Sequence, residues 1–221
     1  MAKNIKRNYF YNLSFQILTL ITPFITTPYI ARVLSPHSIG LVSFATSLSQ
    51  TFGLFAAFGI FTYGLREISY YQDDRKKRTQ IFWEVQILAA FNYFLWISLY
   101  VIFIFFYIKH DYALFLVATL NMTPFYCLFL FYAMEDFGLM TARQVIFKII
   151  DIIFIFVFVK KESDVVLYVF GSLFFMNFLH CALMWLDVKK YIDWPDWKNL
   201  KPFRNFKVIT SLFLPTVSVQ L

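Results

Sequence analysis

Charge and glycine are both scarce in this chain. Charged residues make up 15% of its 221 positions, against about a quarter in ordinary soluble domains. The six glycines form neither a GxGxxG nor a GxxxxGK pattern, which excludes the common phosphate-cradling loops. Cysteine is nearly absent too. Cys127 and Cys181 both sit inside apolar runs and read as small buried hydrophobes, not as a disulfide or a metal pair. No spacing of histidine, cysteine and carboxylates suggests a metal, and no cofactor is expected. What fills the chain instead is apolar: 60% of residues are hydrophobic, 30 of them phenylalanine. Apolar runs of roughly 20 residues recur throughout, each about long enough to cross ~30 Å of hydrocarbon. The chain is a polytopic α-helical membrane protein. Its basic start, MAKNIKRNYFYN, leads into a long apolar run without a small-residue cleavage site, so no removed signal peptide is expected.

The net charge of +7 does not point to nucleic acid, because the cations sit in short segments between apolar runs. The expected spans are Tyr9–Leu34, Ile39–Tyr63, Ile81–Ile108, Tyr112–Met134, Ala142–Val159 and Val165–Leu186. A seventh begins at Val208. With the N-terminus inside, 16 of the 20 Lys and Arg lie on inner segments and four on outer turns, which favours a cytoplasmic N-terminus. Residues 1–186 then form a six-helix lobe, and 187–207 a basic cytoplasmic connector with two tryptophans. Residues 208–221 are the truncated start of a second lobe, too short to span. ITSLFLP, ending at Pro215, echoes LTLITP, ending at Pro23, as a parallel repeat would.

Polar residues inside the apolar runs carry the functional reading. Ile21–Gly40 places Pro23 and Pro28 at membrane depth. Backbone groups freed there survive only beside polar neighbours or a wet cavity. At ~100° per residue, Asn8, Asn12, Gln16, Thr19, Thr22 and Thr26 share an arc of about 120°. The second span has a similar stripe of Ser43, Thr46, Ser47, Gln50 and Thr51. Two readings stay open for both stripes, interhelical packing and a hydrated interior surface. Arg66 and Glu67 read as an interfacial pair or as the mouth of a cavity, and Glu84 reads as interfacial. Asn121, Thr123 and Pro124 suggest a structural kink. Gln144, Lys148 and Asp151 share one helix face. Lys148 either snorkels with Asp151 as its neutralising partner or serves as a cavity cation. Asn177 and His180 share a face of the sixth span, and packing is the simpler role for both.

The run NLSFQILTLITPFITTPYIARVLSPHSIG, with GIFTYGLREIS after it, resembles the polysaccharide transporter family. FYAMEDFGLMTARQVIFKIIDIIFIFVFVKKESDVVLYVF and FKVITSLFLPTVSVQL resemble its fourth-to-sixth-span and seventh-span regions. Ser35 stands where many relatives have glycine. The resemblance implies the N-terminal lobe of a two-lobed transporter of 12–14 helices in the bacterial inner membrane. It further implies a flippase moving an undecaprenyl-pyrophosphate-linked oligosaccharide, such as an O-antigen repeat unit, by alternating access. The partners so implied are the lipid-linked oligosaccharide, membrane lipids and other polysaccharide assembly proteins. On that reading Arg32, Arg66 and Lys148 are the expected cations for the substrate. Asn12, Gln16, Thr22, Gln50 and Asp151 are the expected polar face. A cation-coupled multidrug exporter is weaker, since Asp151 is the only deep carboxylate and lies beside a lysine. A glycan-modifying enzyme would need convergent catalytic groups. The outer turns offer only Arg32, His37, Lys109, His110, Asp111 and the KKESD turn, so no catalytic residue is expected.

Overall fold

A computed structural model describes residues 5–119, 127–204 and 206–220. Asn121, Thr123 and Pro124 fall outside them, as do the side chains of Asn8, Asn177 and Pro215. Every regular element among the described residues is helical. Among the described residues, three helical stretches are long and apolar enough to cross a bilayer: Phe10–Val33, Pro36–Ala57 and Arg75–Tyr107. The apolar side chains point outward to an extent that water would not tolerate. Phe24 is 81% exposed and Phe106 80% exposed, as expected where hydrocarbon is the solvent.

The chain divides into two compact units. The first comprises Met1–Ser49, Ile104–Asn121 and Asp136–His180. It pairs α1 (Ile5–Val33) with α7 (Phe137–Phe158). α1 stays helical through both Pro23 and Pro28. Tyr29 fixes the pairing: its ring lies 4.4 Å from that of Phe156, and its hydroxyl donates to the Val159 carbonyl at 2.8 Å. Ile30, Leu34, Ile155 and Val159 form the apolar seam. Short α5 (Tyr112–Ala118) and α8 (Val165–Tyr168) pack on a π-helical stretch, Val169–Phe175, which also lies on α7. Gly171 permits that approach, because a Cβ there would stand 2.0 Å from the Phe154 ring.

At one end of this unit a turn closes on another turn. Glu162, in a 3₁₀ turn after α7, accepts hydrogen bonds from the Ser35 amide and hydroxyl and from the Ser38 hydroxyl. A carboxylate at the start of α2 (Pro36–Ala57) also complements the helix dipole. Those bonds hold its carboxyl below the usual glutamate range. The Ser35 side chain thus adds a hydroxyl donor to the one its backbone amide supplies.

The second unit comprises Gln50–Phe103, Met122–Glu135 and Cys181–Leu221. Here the expected span Ile39–Tyr63 proves to be two elements. α2 stops at Ala57, and Phe58 and Gly59 take positive φ of 42° and 69°. The separate amphipathic helix α3 (Ile60–Tyr70) then carries the YGLREI motif. The break leaves carbonyls at the end of α2 without helical partners. Asn92 of α4 (Arg75–Tyr107) answers it, donating to Phe55 and Ala56 carbonyls at 3.0 and 2.7 Å. α3 packs on α6 (Leu128–Ala133), where Gly64 lies against the Phe129 ring, and on α10 (Phe206–Gln220). α9 (Met176–Val188) reaches the connector, which is not a free loop. Arg75 makes a two-pronged pair with Asp193 at 2.9 Å for each prong, and also donates to the Lys189 and Lys190 carbonyls. Arg78 is buried and donates to the Tyr191 and Gln72 carbonyls.

Candidate substrate-binding residues

Arg143 stands in the second turn of α7, and Lys148 and Asp151 lie deeper in its apolar length. A separation of three residues puts them on one face, and their Nζ and Oδ2 atoms lie 3.8 Å apart. That is an ion-pair distance but too long for a hydrogen bond. The Lys148 side chain is 33% exposed and that of Asp151 11%. Asp151 Oδ1 is buried with no hydrogen-bond partner, although the Ser172 hydroxyl of the π-helical stretch is beside the carboxylate. A charge at the centre of a membrane helix costs roughly 2.5–3.5 kcal/mol on insertion scales. This arrangement offsets only part of it, leaving ammonium donors of the partly exposed Lys148 available to another group.

The α1 stripe divides into two parts. Asn12 and Gln16 are exposed and meet only each other, Gln16 donating to Asn12 at 3.3 Å. Farther along, Thr22 is 4% exposed and donates to the Leu18 carbonyl at 2.7 Å. Thr19 and Thr26 bond back to the carbonyls of Phe15 and Thr22 in the same way. In the second stripe Ser43, Ser47, Gln50 and Thr51 are exposed, and Thr46 donates to the Val42 and Ser43 carbonyls.

Arg32 is exposed in the last turn of α1, where a cation also suits the helix dipole. Arg66 is exposed on α3, 2.9 Å from Glu67 and 6.0 Å from the centre of the Tyr63 ring. Asn12, Gln16, Thr22, Arg32, Lys148 and Asp151 thus belong to the first unit, and Gln50 and Arg66 to the second. Within the first unit Lys148 pairs with Asp151, and Asn12 with Gln16. His180 packs its ring 5.7 Å from that of Phe147, with Nε2 buried and without a hydrogen-bond partner.

Sequence reasoning missed several polar residues. Glu84, read as interfacial, is also buried and accepts from the Gln80 side chain and the Lys201 amide. Asn92 is not singled out by the sequence, and Glu162 enters only with the KKESD turn, because each serves a feature remote in sequence. The one available signal for Glu162 was an acidic turn directly after an apolar helix.

The sequence profile of the family described as "Polysaccharide biosynthesis protein" matches residues 5–221. The chain belongs to that family, a polysaccharide transporter family. Among curated relatives, a protein of Escherichia coli (strain K12) named "Putative O-antigen transporter" is 24% identical over 166 residues. That alignment covers 73% of this chain and 40% of the relative, so the chain spans less than half of the relative's length. No solved structure matches. Family membership and the apolar helices together make this a membrane protein of that family.

Proposed function

We propose that the protein is a flippase for a polyprenyl-diphosphate-linked oligosaccharide, working by alternating access with its N-terminus in the cytoplasm. In this reading residues 1–186 contribute one six-helix lobe of a two-lobed transporter. Support comes from the family match over residues 5–221 and from the relative named for O-antigen transport. The observation that carries it is Lys148, an ammonium on an apolar helix with donors that its own chain leaves unspent. An amphiphile with a charged diphosphate and a polar glycan needs such a cation inside the membrane and a polar surface beside it. Asn12, Gln16 and Gln50 offer open amides for the glycan, and Arg32 and Arg66 are further cations. Asp151 sets the position of Lys148 and limits how tightly the anion is held, so that it can leave.

The test is complementation of a strain lacking its own flippase by the intact protein. Lys148→Ala is expected to abolish surface glycan at normal protein level, and Lys148→Arg to retain it. Normal glycan with Lys148→Ala would overturn the role of this residue.

A further inference from the structure

Four of the five tryptophans of this chain gather at one place in the second unit. Trp83 of α4 is the centre, with Trp185, Trp194 and Trp197 ring centroids at 6.1, 6.5 and 6.3 Å. Trp83 Nε1 donates to the Asp193 carbonyl at 3.1 Å. Beside them lies an aromatic cavity of about 240 Å³ lined by Trp83, Trp185, Lys189, Ile192 and Trp194. A second, polar cavity of about 380 Å³ is lined by Lys76, Gln80, Asp196 and Asn199. Asp193 and Trp194 belong to the lining of both. Two adjoining spaces, one aromatic and one polar, fit an amphiphile.

The connector's path says what kind. From its clamp at Arg75 it runs back along α4 toward the apolar part of that helix. Asp193 bonds Arg75 and Thr79, Asn199 accepts from Gln80, and the Lys201 amide reaches Glu84. Phe203 ends beside Phe91 at 5.6 Å. Arg75 to Phe91 is about 24 Å of helix at 1.5 Å per residue, so the connector passes from the basic end of α4, the end suited to a bilayer surface, toward its apolar part. Trp194 and Trp197 are 78% and 68% exposed there, the position that indoles favour at an interface. The charges complete the site. Arg75 neutralises Asp193, and among the described residues no ion pair engages Lys76 or Lys189. Lys198 and Lys201 are exposed in the same stretch.

We propose that the connector and the basic end of α4 form a binding site for an anionic phospholipid. Its phosphate is taken by Lys76 and Lys189, and its glycerol and upper acyl chains lie against Trp83, Trp185 and Trp194. The site is independent of the flippase reading, since it concerns a lipid that stays in its leaflet.

The tryptophans themselves provide the readout. The protein is reconstituted in phosphatidylcholine nanodiscs with a small fraction of acyl-brominated lipid, and quenching of tryptophan emission is recorded. Brominated phosphatidylglycerol is expected to be preferred over brominated phosphatidylcholine by roughly tenfold, as one to two lysines near the surface provide. Lys76→Gln/Lys189→Gln is expected to abolish that preference with unchanged helical content, while Lys160→Gln keeps it. Equal quenching by both lipids, or a preference surviving the double substitution, would overturn the proposal. So would loss of the quenching when a lipid-linked oligosaccharide is added at equal fraction, which would make this a substrate site.

Discussion

The Arg75–Arg78 cluster and the Lys148–Asp151 pair look alike in the sequence, as cations beside apolar helices, yet the fold uses them in opposite ways. Arg78 is buried with its guanidinium committed to the Tyr191 and Gln72 carbonyls, and Arg75 is committed to Asp193 and two further carbonyls. Lys148 has one partner at 3.8 Å, farther than a hydrogen bond. A cation whose every guanidinium nitrogen donates to its own chain is a structural brace. One left underused in an apolar setting, where its presence is costly, is the one we propose for a ligand.

The comparison fails if the two sites respond alike to mutation. Arg78→Ala is expected to have the largest effect on stability, about 3 kcal/mol. It strips charged donors from buried carbonyls and frees the connector. Thermal unfolding in detergent, read by tryptophan emission, measures it directly. Lys148→Ala is expected to cost no more than about 1 kcal/mol, since the remaining carboxylate can take up a proton, while transport is lost. Equal destabilisation by the two substitutions would make Lys148 a brace as well. Asp151→Asn sharpens the point, with about 1–2 kcal/mol expected from leaving the ammonium uncompensated. Lys148→Ala/Asp151→Ala should recover most of that loss, a coupling that a double-mutant cycle reads.

A smaller effect is expected at Glu162, which resembles the Arg75 clamp in tying together remote turns. Its carboxyl lies below the ordinary glutamate range in the folded protein because Ser35 and Ser38 donate to it. The stabilisation is therefore complete above the ordinary value, near 4.3, and is lost as pH falls through the lower folded value. Wild type should melt higher than Glu162→Gln at pH 7, and the gap should close on acidification below about pH 4. A gap independent of pH would show that the ionised carboxylate is not what matters. The mildest change expected is from Arg75→Lys, which keeps the charge but loses the two-pronged geometry. It should alter emission from Trp194 and Trp197 with little change in melting temperature.

Much of the site was legible because it is local. Three residues of spacing on an apolar helix put Lys148 beside Asp151, and four put Asn12 beside Gln16, as the fold shows. Thr22 shows the limit of that reasoning. Its wheel position marks a polar face, but the fold buries it and its hydroxyl turns to Leu18. The expected span Ile39–Tyr63 was misjudged because hydropathy runs unbroken through Phe58–Gly59, where the backbone turns.

What the sequence by itself determined is the solvent of this protein and its local polar geometry. Apolar run lengths decide that it lives in a bilayer, and helical periodicity decides which neighbours share a face. Only the tertiary structure decided which charges are spent. Glu162 meets Ser35 across 127 residues, and Arg75 meets Asp193 across 118. Such pairings depend on which helix ends come together. Hydropathy and periodicity act along one helix and carry no information on that.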